Sequence, residues 1–470
     1  MQCFKIYSDE IEGRLDIYFY LSEFTELVNK IKKSKITFCP LKEITTKITD
    51  GAHHSPTSNP EFSNKYITVK DINNDGQIDL INCNKINDED FTLMVRNNCK
   101  PLPNDILFSK DGTVGKIYRV KDDDNFVILS SLAILRPDIT KIIPEFLEFI
   151  LRNNITNKIV KRLMGGSAIQ RIILDNLKEV LIPLPEKKIQ NKIVDLMQTA
   201  YENKKQKEQK AEKLLNSIDD FVLEQLGIEL PEIQNKMCYR VYSNELENNR
   251  HDPYYYQPKF EKVDKALLKG KYKVKSLKDL LESIISGQRP KGGVGQIEEG
   301  IPSLGGEHVL NNGSIAVENL KYIPEDFHKT QLKSKVKKLD VILVKDGATT
   351  GKVGIIPENY PFDEANVNEH VFILRTNKDL NPYYLFAYLK SEIGQKQIKR
   401  EITGATITGI IRESTENLLI PIPPENIQIL IADEYKKRME QAKQLQKEAQ
   451  EELEQAKARV ERIILEEEEI

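Results

Sequence analysis

The segment with the clearest potential for chemistry is a glycine-bracketed turn that ends in lysine, Gly347-Ala348-Thr349-Thr350-Gly351-Lys352. A phosphate-binding loop needs four residues between its glycines and a serine or threonine after the lysine. This segment has only three residues between the glycines, and Val353 follows the lysine. The related segment Gly112-Thr113-Val114-Gly115-Lys116 has only two. Both segments are therefore interpreted as β-turns that enter a strand, and no nucleotide-binding loop is predicted.

Two other motifs are typical of enzymes that modify DNA. Asn381-Pro382-Tyr383-Tyr384 and Asp252-Pro253-Tyr254-Tyr255 resemble the Asn-Pro-Pro-Tyr loop of amino-methyltransferases, but no glycine-rich adenosylmethionine loop precedes them. Pro382 is interpreted instead as a helix start, where proline is tolerated. No proline-acid-acid-x-lysine pattern on a strand indicates a nuclease, and the five cysteines lack metal-ligand spacing. We therefore predict no catalytic residue and no metal site, and we do not expect the chain to be an enzyme.

These motifs belong to a sequence that is duplicated. Residues 182–190 (IPLPEKKIQ) return as residues 420–428 (IPIPPENIQ). There are two further pairs of similar segments: residues 6–11 with 241–246, and residues 109–116 with 344–352. The three segments occur in the same order in both repeats. Three paired segments at nearly constant separation indicate a tandem duplication. The function is therefore expected to need two similar but non-identical modules.

Each repeat is predicted to contain a mixed domain followed by a long helix. Short helices are predicted over 23–32 and 259–268, and helical stretches over 145–163 and 383–402. β-like runs are predicted at 65–69, 105–108, 126–135, 341–344, 353–356 and 371–374. The Pro-x-Pro elements end each domain, because proline removes a backbone donor. Long helices are predicted over 190–225 and 427–464, each extending ~55 Å, since apolar residues recur there at three-four spacing without interior glycine or proline.

The predicted fold class is α+β, with two tandem-repeated mixed α/β domains separated by two long helices that form an antiparallel coiled coil. The predicted boundaries are 1–185 for the first domain, 186–230 for the central helix, 231–424 for the second domain and 425–470 for the distal helix. The net charge of -3 does not indicate nucleic acid, but phosphate contacts are local and a DNA-binding face remains compatible with it. No membrane span or signal peptide is predicted, so we expect a cytoplasmic protein.

In combination, these features resemble a known family. The duplicated domains, the Ile-Pro-Leu-Pro and Ile-Pro-Ile-Pro boundaries, the Lys-Asp-Gly…Gly-Lys turns and the long helices are similar to the specificity (S) subunit of Type I restriction–modification systems. The resemblance covers essentially the whole chain, and the segment 50–56 also resembles the opening of a target recognition domain. It implies that each target recognition domain reads one half of a bipartite sequence in double-stranded DNA.

The same resemblance implies partners and cofactors. Two methyltransferase subunits would dock on the helices, and restriction/translocase subunits would join through the methyltransferase core. S-adenosylmethionine, ATP and magnesium would bind to those partners, and this chain would need no cofactor.

Candidate DNA contacts are polar and basic side chains in the predicted loops, because such groups bind phosphates and base edges. They are His53, His54, Ser55, Lys110, Thr113, Lys116, Gln170 and Arg171 in the first domain, and Arg289, Lys291, Asn311, Lys345, Thr349, Lys352 and Thr406 in the second. The pairs that both repeats share, Lys110/Lys345 and Lys116/Lys352, are expected to serve as framework or phosphate contacts. Positions that differ, His53 and His54 against Arg289 and Lys291, are expected to read different bases.

The leading hypothesis is a non-catalytic DNA-specificity subunit that recognises an asymmetric bipartite site. One alternative is the same architecture in a combined restriction–methylation enzyme outside Type I, which the neighbouring genes would distinguish. A second alternative is a coiled-coil scaffold that joins two protein-binding domains without a DNA role. Its variable loops would be apolar, whereas those of this chain are basic and rich in hydroxyl groups.

Overall fold

The computed structural model describes residues 17–73, 75–165, 170–230, 238–246, 250–294, 297–404, 408–465 and 468. It divides into two compact units, one of residues 1–207 with 447–470 and the other of residues 208–446. Each unit therefore contains one mixed domain together with part of each long helix. Within the described residues, no helix combines the length and the apolar character that crossing a lipid bilayer requires.

The first unit combines helices with three small sheets. Its helices are α1 (Ser22–Lys33), α2 (Asp88–Arg96), α3 (Pro144–Arg152), α4 (Asn154–Leu163), α5 (Leu174–Lys178) and the first part of α6 (Lys187–Leu226). Its strands are β1 (Phe38–Pro40), β2 (Thr45–Asp50), β3 (Asn64–Ile67), β4 (Asn84–Ile86), β5 (Ile106–Ser109), β6 (Ile117–Arg119), β7 (Phe126–Ile128), β8 (Leu132–Pro137) and β9 (Leu181–Pro183). The strand orders are β2-β8-β5-β6, β4-β3-β7 and β1-β9. All neighbouring strands are antiparallel except β3 and β7.

The second unit repeats this arrangement element by element. Its helices are the second part of α6, then α7 (Pro258–Lys269), α8 (Glu325–Thr330), α9 (Pro382–Lys390), α10 (Glu392–Glu401), α11 (Arg412–Glu416) and the first part of α12 (Glu425–Ile464). Its strands are β10 (Val274–Ser276), β11 (Leu281–Ser286), β12 (Ile301–Leu304), β13 (Tyr322–Ile323), β14 (Val341–Val344), β15 (Val353–Ile355), β16 (Asn366–Val367), β17 (Val371–Thr376) and β18 (Leu419–Pro421). The strand orders β11-β17-β14-β15, β13-β12-β16 and β10-β18 match those of the first unit. The predicted fold class, with its duplicated mixed domains, is confirmed.

The Pro-x-Pro element of the second repeat is fixed to its domain by two buried tyrosines. Tyr384 and Tyr388 lie on α9, one turn apart, and both side chains are fully buried. The Tyr384 hydroxyl donates to the carbonyl oxygen of Pro421 at 2.7 Å, and the Tyr388 hydroxyl donates to that of Leu419 at 2.9 Å. Burial raises the pKa of both phenols, so both remain donors. The boundary strand β18 therefore belongs structurally to the domain that it ends.

The two long helical stretches predicted inside the domains are each interrupted. Residues 145–163 form α3 and α4, and residues 383–402 form α9 and α10, so the prediction of single stretches was wrong. Asn153 and Ser391 have extended backbones at the breaks. The Asn153 side chain accepts from the Ile155 amide, and the Ser391 hydroxyl accepts from the Gly394 amide. Such residues cap a new helix better than they continue one.

The long helices pair in antiparallel fashion within each unit, as predicted. In the first unit, Ile193 and Met197 of α6 share a core with Leu453 and Val460 of α12. The Lys207 ammonium bridges Glu448 at 3.1 Å and Glu452 at 2.5 Å. In the second unit, Ile218 and Val222 of α6 share a core with Ile431 and Tyr435 of α12. The lower-numbered part of one helix thus packs against the higher-numbered part of the other. At 1.5 Å per residue, a 40-residue helix extends about 60 Å.

Candidate nucleic-acid interface

Four loops of the first domain meet at one place, and we call them the first loop cluster: residues 50–55, 110–116, 129–131 and 165–171, of which 166–169 lie outside the described residues. The Lys110 amide donates to the Ser131 carbonyl oxygen at 2.9 Å, and the Ser130 amide donates to that of Ala52 at 2.8 Å. The Ile172 amide donates to the Lys110 carbonyl oxygen at 2.9 Å. Backbone hydrogen bonds therefore hold together segments that are far apart in the sequence.

The second domain has the same construction, and we call its four loops the second loop cluster: residues 286–291, 345–352, 368–370 and 403–409, of which 405–407 lie outside the described residues. The Lys345 amide donates to the His370 carbonyl oxygen at 2.9 Å, and the Ile410 amide donates to that of Lys345 at 2.7 Å. The Gly287 amide donates to the Asn368 carbonyl oxygen at 3.2 Å. The predicted site residue Thr406 lies outside the described residues.

The turns that resembled a nucleotide loop are structural. Residues 346–351 form a turn that leads into β15, as predicted. The Thr350 hydroxyl lies within hydrogen-bond distance of the carbonyl oxygens of Gly347 at 2.7 Å and Thr408 at 3.0 Å, and the Thr408 hydroxyl donates to that of Gly347 at 3.1 Å. These hydrogen bonds connect the turn at residues 346–351 to the loop that contains Thr408. The neighbouring predicted contacts Thr349 and Lys352 are half-buried.

Eight predicted DNA contacts have exposed side chains in the loop clusters. They are His53, His54, Ser55, Thr113, Gln170 and Arg171 in the first cluster and Arg289 and Lys291 in the second. Two of these side chains also contact a carboxylate: His53 Nε2 lies 3.4 Å from Asp50 Oδ2, and Arg289 Nε lies 2.5 Å from Glu369 Oε1. Each cluster thus presents basic and polar groups to solvent from a backbone frame that both domains share.

Three of the four shared lysines contact groups of the protein itself. Lys110 has 11% of its side chain exposed, and its ammonium lies 3.5 Å from Asp50 and 3.3 Å from Asp111. The Lys116 ammonium donates to the carbonyl oxygens of Val69 at 3.1 Å and Ile72 at 2.6 Å. Lys345 lies over the Phe372 ring, with its Nζ 5.3 Å from the ring centroid. These contacts favour the framework role over the phosphate role for Lys110, Lys116 and Lys345.

A substitution of Lys110 separates the two roles. We expect Lys110→Met to lower the free energy of unfolding by about 1–3 kcal/mol, because Asp50 and Asp111 lose a buried cationic partner. We expect the salt dependence of DNA binding to stay unchanged. Arg171→Gln, at an exposed position of the same cluster, should instead reduce the slope of log K against log salt by about one. Urea denaturation of the full chain and salt titration of DNA binding provide the measurements. A reduced slope for Lys110→Met would contradict the framework role.

Asn311 lies at another position of the second domain. Its carbonyl oxygen accepts from the Lys390 ammonium at 2.6 Å, and both residues line a small cavity with Asp219 of α6. Burial lowers the pKa of Lys390 and raises that of Asp219. The structure connects Asn311 to α9 by this hydrogen bond and does not bring it into the second loop cluster.

Several residues of the clusters had no signal in the sequence analysis. Glu369 and His370 belong to the second cluster, and Ser131 occupies the corresponding loop of the first. The His370 Nδ1 atom contacts the Asp346 carboxylate. The first of these loops interrupts a region predicted as β-like: residues 126–135 were predicted as one run, but they form β7 and β8 in two different sheets. A comparison of the two repeats could have indicated the loop, because its residues differ between them. Over the described residues, no group of three histidine, cysteine or acidic side chains is placed to hold a metal ion.

The fold and the loop clusters define a class of protein with two homologous binding domains, each packed on a pair of long helices. Residues 41–216 and 269–455 match the family model described as "Type I restriction modification DNA specificity domain". The chain therefore belongs to the Type I restriction modification DNA specificity domain family.

Individual relatives agree with this assignment. The chain is similar to the Type I restriction enzyme MjaIX specificity subunit of Methanocaldococcus jannaschii, with 23% identity over 61% of this chain and 60% of that subunit. It is also similar to the putative type I restriction enzyme MjaX specificity subunit of the same organism, with 24% identity over 77% of each chain. A solved structure of a type I R-M system contains a chain with a TM-score of 0.51 and 16% identity, covering 92% of this chain and 98% of that chain. That structural likeness concerns the fold alone.

Proposed function

We propose that this chain is the non-catalytic DNA-specificity subunit of a Type I restriction–modification complex, and that it recognises an asymmetric bipartite site. The observation that most strongly supports this function is the presence of one loop cluster in each domain. Both have the same backbone frame, yet the exposed side chains at equivalent places differ, as His53 and Arg289 do. Two such surfaces suit two unlike DNA half-sites, because bases are distinguished by the donors and acceptors presented to them.

Within this function, residues 1–185 and 231–424 are the target recognition domains, and residues 186–230 and 425–470 form the helical spacer. The eight exposed residues of the clusters contact DNA, together with Thr349, Lys352 and Thr406 at the same loops. Lys110, Lys116 and Lys345 support the loops from inside. We leave Asn311 out of this set of DNA contacts because it belongs to none of the four loops of the second loop cluster.

The helical spacer docks two methyltransferase subunits, and restriction/translocase subunits join through them. The partners bind S-adenosylmethionine, ATP and magnesium, and the complex acts in the cytoplasm. Two observations support docking on the helices. The named relatives are subunits of Type I restriction enzymes, and Ile429 and Leu430 near the start of α12 are exposed apolar side chains. Adjacent exposed apolar residues on a long helix suit contact with another protein.

A binding selection tests this function. The full chain, co-expressed with the methyltransferase encoded beside it, is incubated with a pool of random-sequence duplexes, and the bound fraction is sequenced. We expect one enriched motif with two unlike halves separated by an unspecified spacer. Binding should weaken steeply with salt, because phosphate contacts release counterions. A complex that binds DNA but enriches no sequence, or that shows no salt dependence, would contradict the proposal.

A further inference from the structure

The loop after β2 and the loop after β11 each carry an exposed residue at an equivalent position, His53 in the first and Arg289 in the second. Gly51 follows β2 and Gly287 follows β11, and both glycines lie against a backbone carbonyl. A Cβ atom on Gly51 would lie 2.2 Å from the Ile128 oxygen, and one on Gly287 would lie 1.6 Å from the Val367 oxygen. These close approaches show that Gly51 and Gly287 occupy equivalent positions in the two domains. The residues two positions later, His53 and Arg289, are therefore counterparts.

Both counterparts are basic, exposed and oriented by a carboxylate. The exposed fractions of the side chains are 75% for His53 and 51% for Arg289. Glu369 contacts Arg289 through Nε, at 2.5 Å. The same Glu369 oxygen lies 3.4 Å from His370 Nε2, so the carboxylate lies between two basic side chains. Among the contacts of the described residues, none engages the two terminal nitrogens of this half-exposed guanidinium.

We propose that Arg289 reads a guanine in the half-site of the second domain, and that Glu369 is its positioning residue; this inference rests on the proposed function. A guanidinium donates two parallel hydrogen bonds to guanine O6 and N7, a pattern that no other base offers in the major groove. An arginine fixed by Glu369 loses less conformational freedom on binding. His53 presents a different set of ring nitrogens at the same place, so this position helps to make the two half-sites unlike.

The test uses the complex of the full chain with its neighbouring methyltransferase. Host DNA is sequenced for methylated positions with the wild-type chain and with Arg289→Gln, Glu369→Gln and the control Lys378→Gln. Lys378 is exposed and lies beyond the opposite end of β17. We expect Arg289→Gln to lose the preference for guanine at one position of one half-site by about five- to a hundred-fold. Glu369→Gln should weaken the same preference less, and Lys378→Gln should leave the motif unchanged.

A second measurement separates direct reading from misfolding. Binding is compared between duplexes that carry guanine or 7-deazaguanine, which lacks the N7 acceptor, at the affected position. The wild-type complex should bind the deaza duplex several-fold more weakly, whereas the Arg289→Gln complex should not distinguish the two. A wild-type motif without guanine in that half, or an Arg289→Gln motif identical to the wild-type motif, would overturn the inference and leave the proposed function intact. Absence of any sequence-specific methylation by the wild-type complex would overturn both.

Discussion

Asp340→Asn is expected to destabilise the second domain by about 1–3 kcal/mol, because the half-buried Arg375 guanidinium loses its buried counter-charge and one of its two acceptors. Asp340 is 2% exposed, and its two oxygens accept from Arg375 Nε at 2.8 Å and Arg375 Nη2 at 2.7 Å. These hydrogen bonds raise the pKa of Arg375, which therefore stays charged. One oxygen also accepts from the Lys337 amide at 2.7 Å, so the carboxylate holds a turn as well.

The first domain contains the same ion pair. Asp105 is 1% exposed, and its oxygens accept from Arg136 Nε and Nη2, both at 2.8 Å, while the Leu102 amide donates to Asp105 Oδ2. We therefore expect Asp105→Asn to have a similar effect on the first domain.

Urea denaturation followed by far-UV circular dichroism provides the measurement, because the chain has no tryptophan. Glu325→Gln, which removes one partner of the exposed pair with Lys329, is the control and should leave the transition midpoint unchanged. The double substitution Asp340→Leu with Arg375→Met should recover much of the lost stability, since no buried charge remains. Equal midpoints for Asp340→Asn and the control would show that the pair contributes little.

Gly287→Ala is expected to weaken recognition by the second domain while recognition by the first is unchanged. The added Cβ would lie 1.6 Å from the Val367 carbonyl oxygen and 2.5 Å from its carbon, so the backbone of the loop that carries Arg289 must move. We expect a loss of stability of about 1–3 kcal/mol and a loss of at least about tenfold in specific affinity, which corresponds to one good base contact.

Gly409→Ala is the matched control for stability, because its Cβ would meet the nearest atoms at the ordinary distances of 3.4 and 3.5 Å. Both glycines belong to the second loop cluster. Binding of the full-chain complex to duplexes altered in one half-site at a time measures the effect. If Gly287→Ala reduced discrimination equally at both half-sites, the assignment of one half-site to each domain would be wrong.

The duplication and the long helices could be predicted because they depend on local patterns. Apolar residues at three-four spacing and the repeated Pro-x-Pro elements define α6, α12 and the domain ends without long-range information. The helix breaks at Asn153 and Ser391 were missed because those side chains act as caps only where the chain turns. Neither residue excludes a helix by its type alone.

The loop clusters were predicted only in part, since they assemble loops that are distant in sequence. The sequence does not distinguish a lysine that is exposed in a turn from one that contacts carboxylates inside the protein. Lys291 is exposed, whereas Lys110 contacts Asp50 and Asp111. Glu369 is of interest because it contacts Arg289, which lies 80 positions earlier in the sequence. Such partnerships depend on strand pairing, here between β11 and β17, which composition does not reveal.

The most direct test of the central claim is a domain exchange read out by DNA methylation. Residues 277–420 are replaced by the corresponding domain of a relative, the chain is co-expressed with its methyltransferase partner, and methylated positions in host DNA are sequenced. We expect the unaltered chain to produce one gapped motif with two unlike halves, and the exchange to change one half only. Changes in both halves, or no sequence-specific methylation despite an active methyltransferase, would contradict the account.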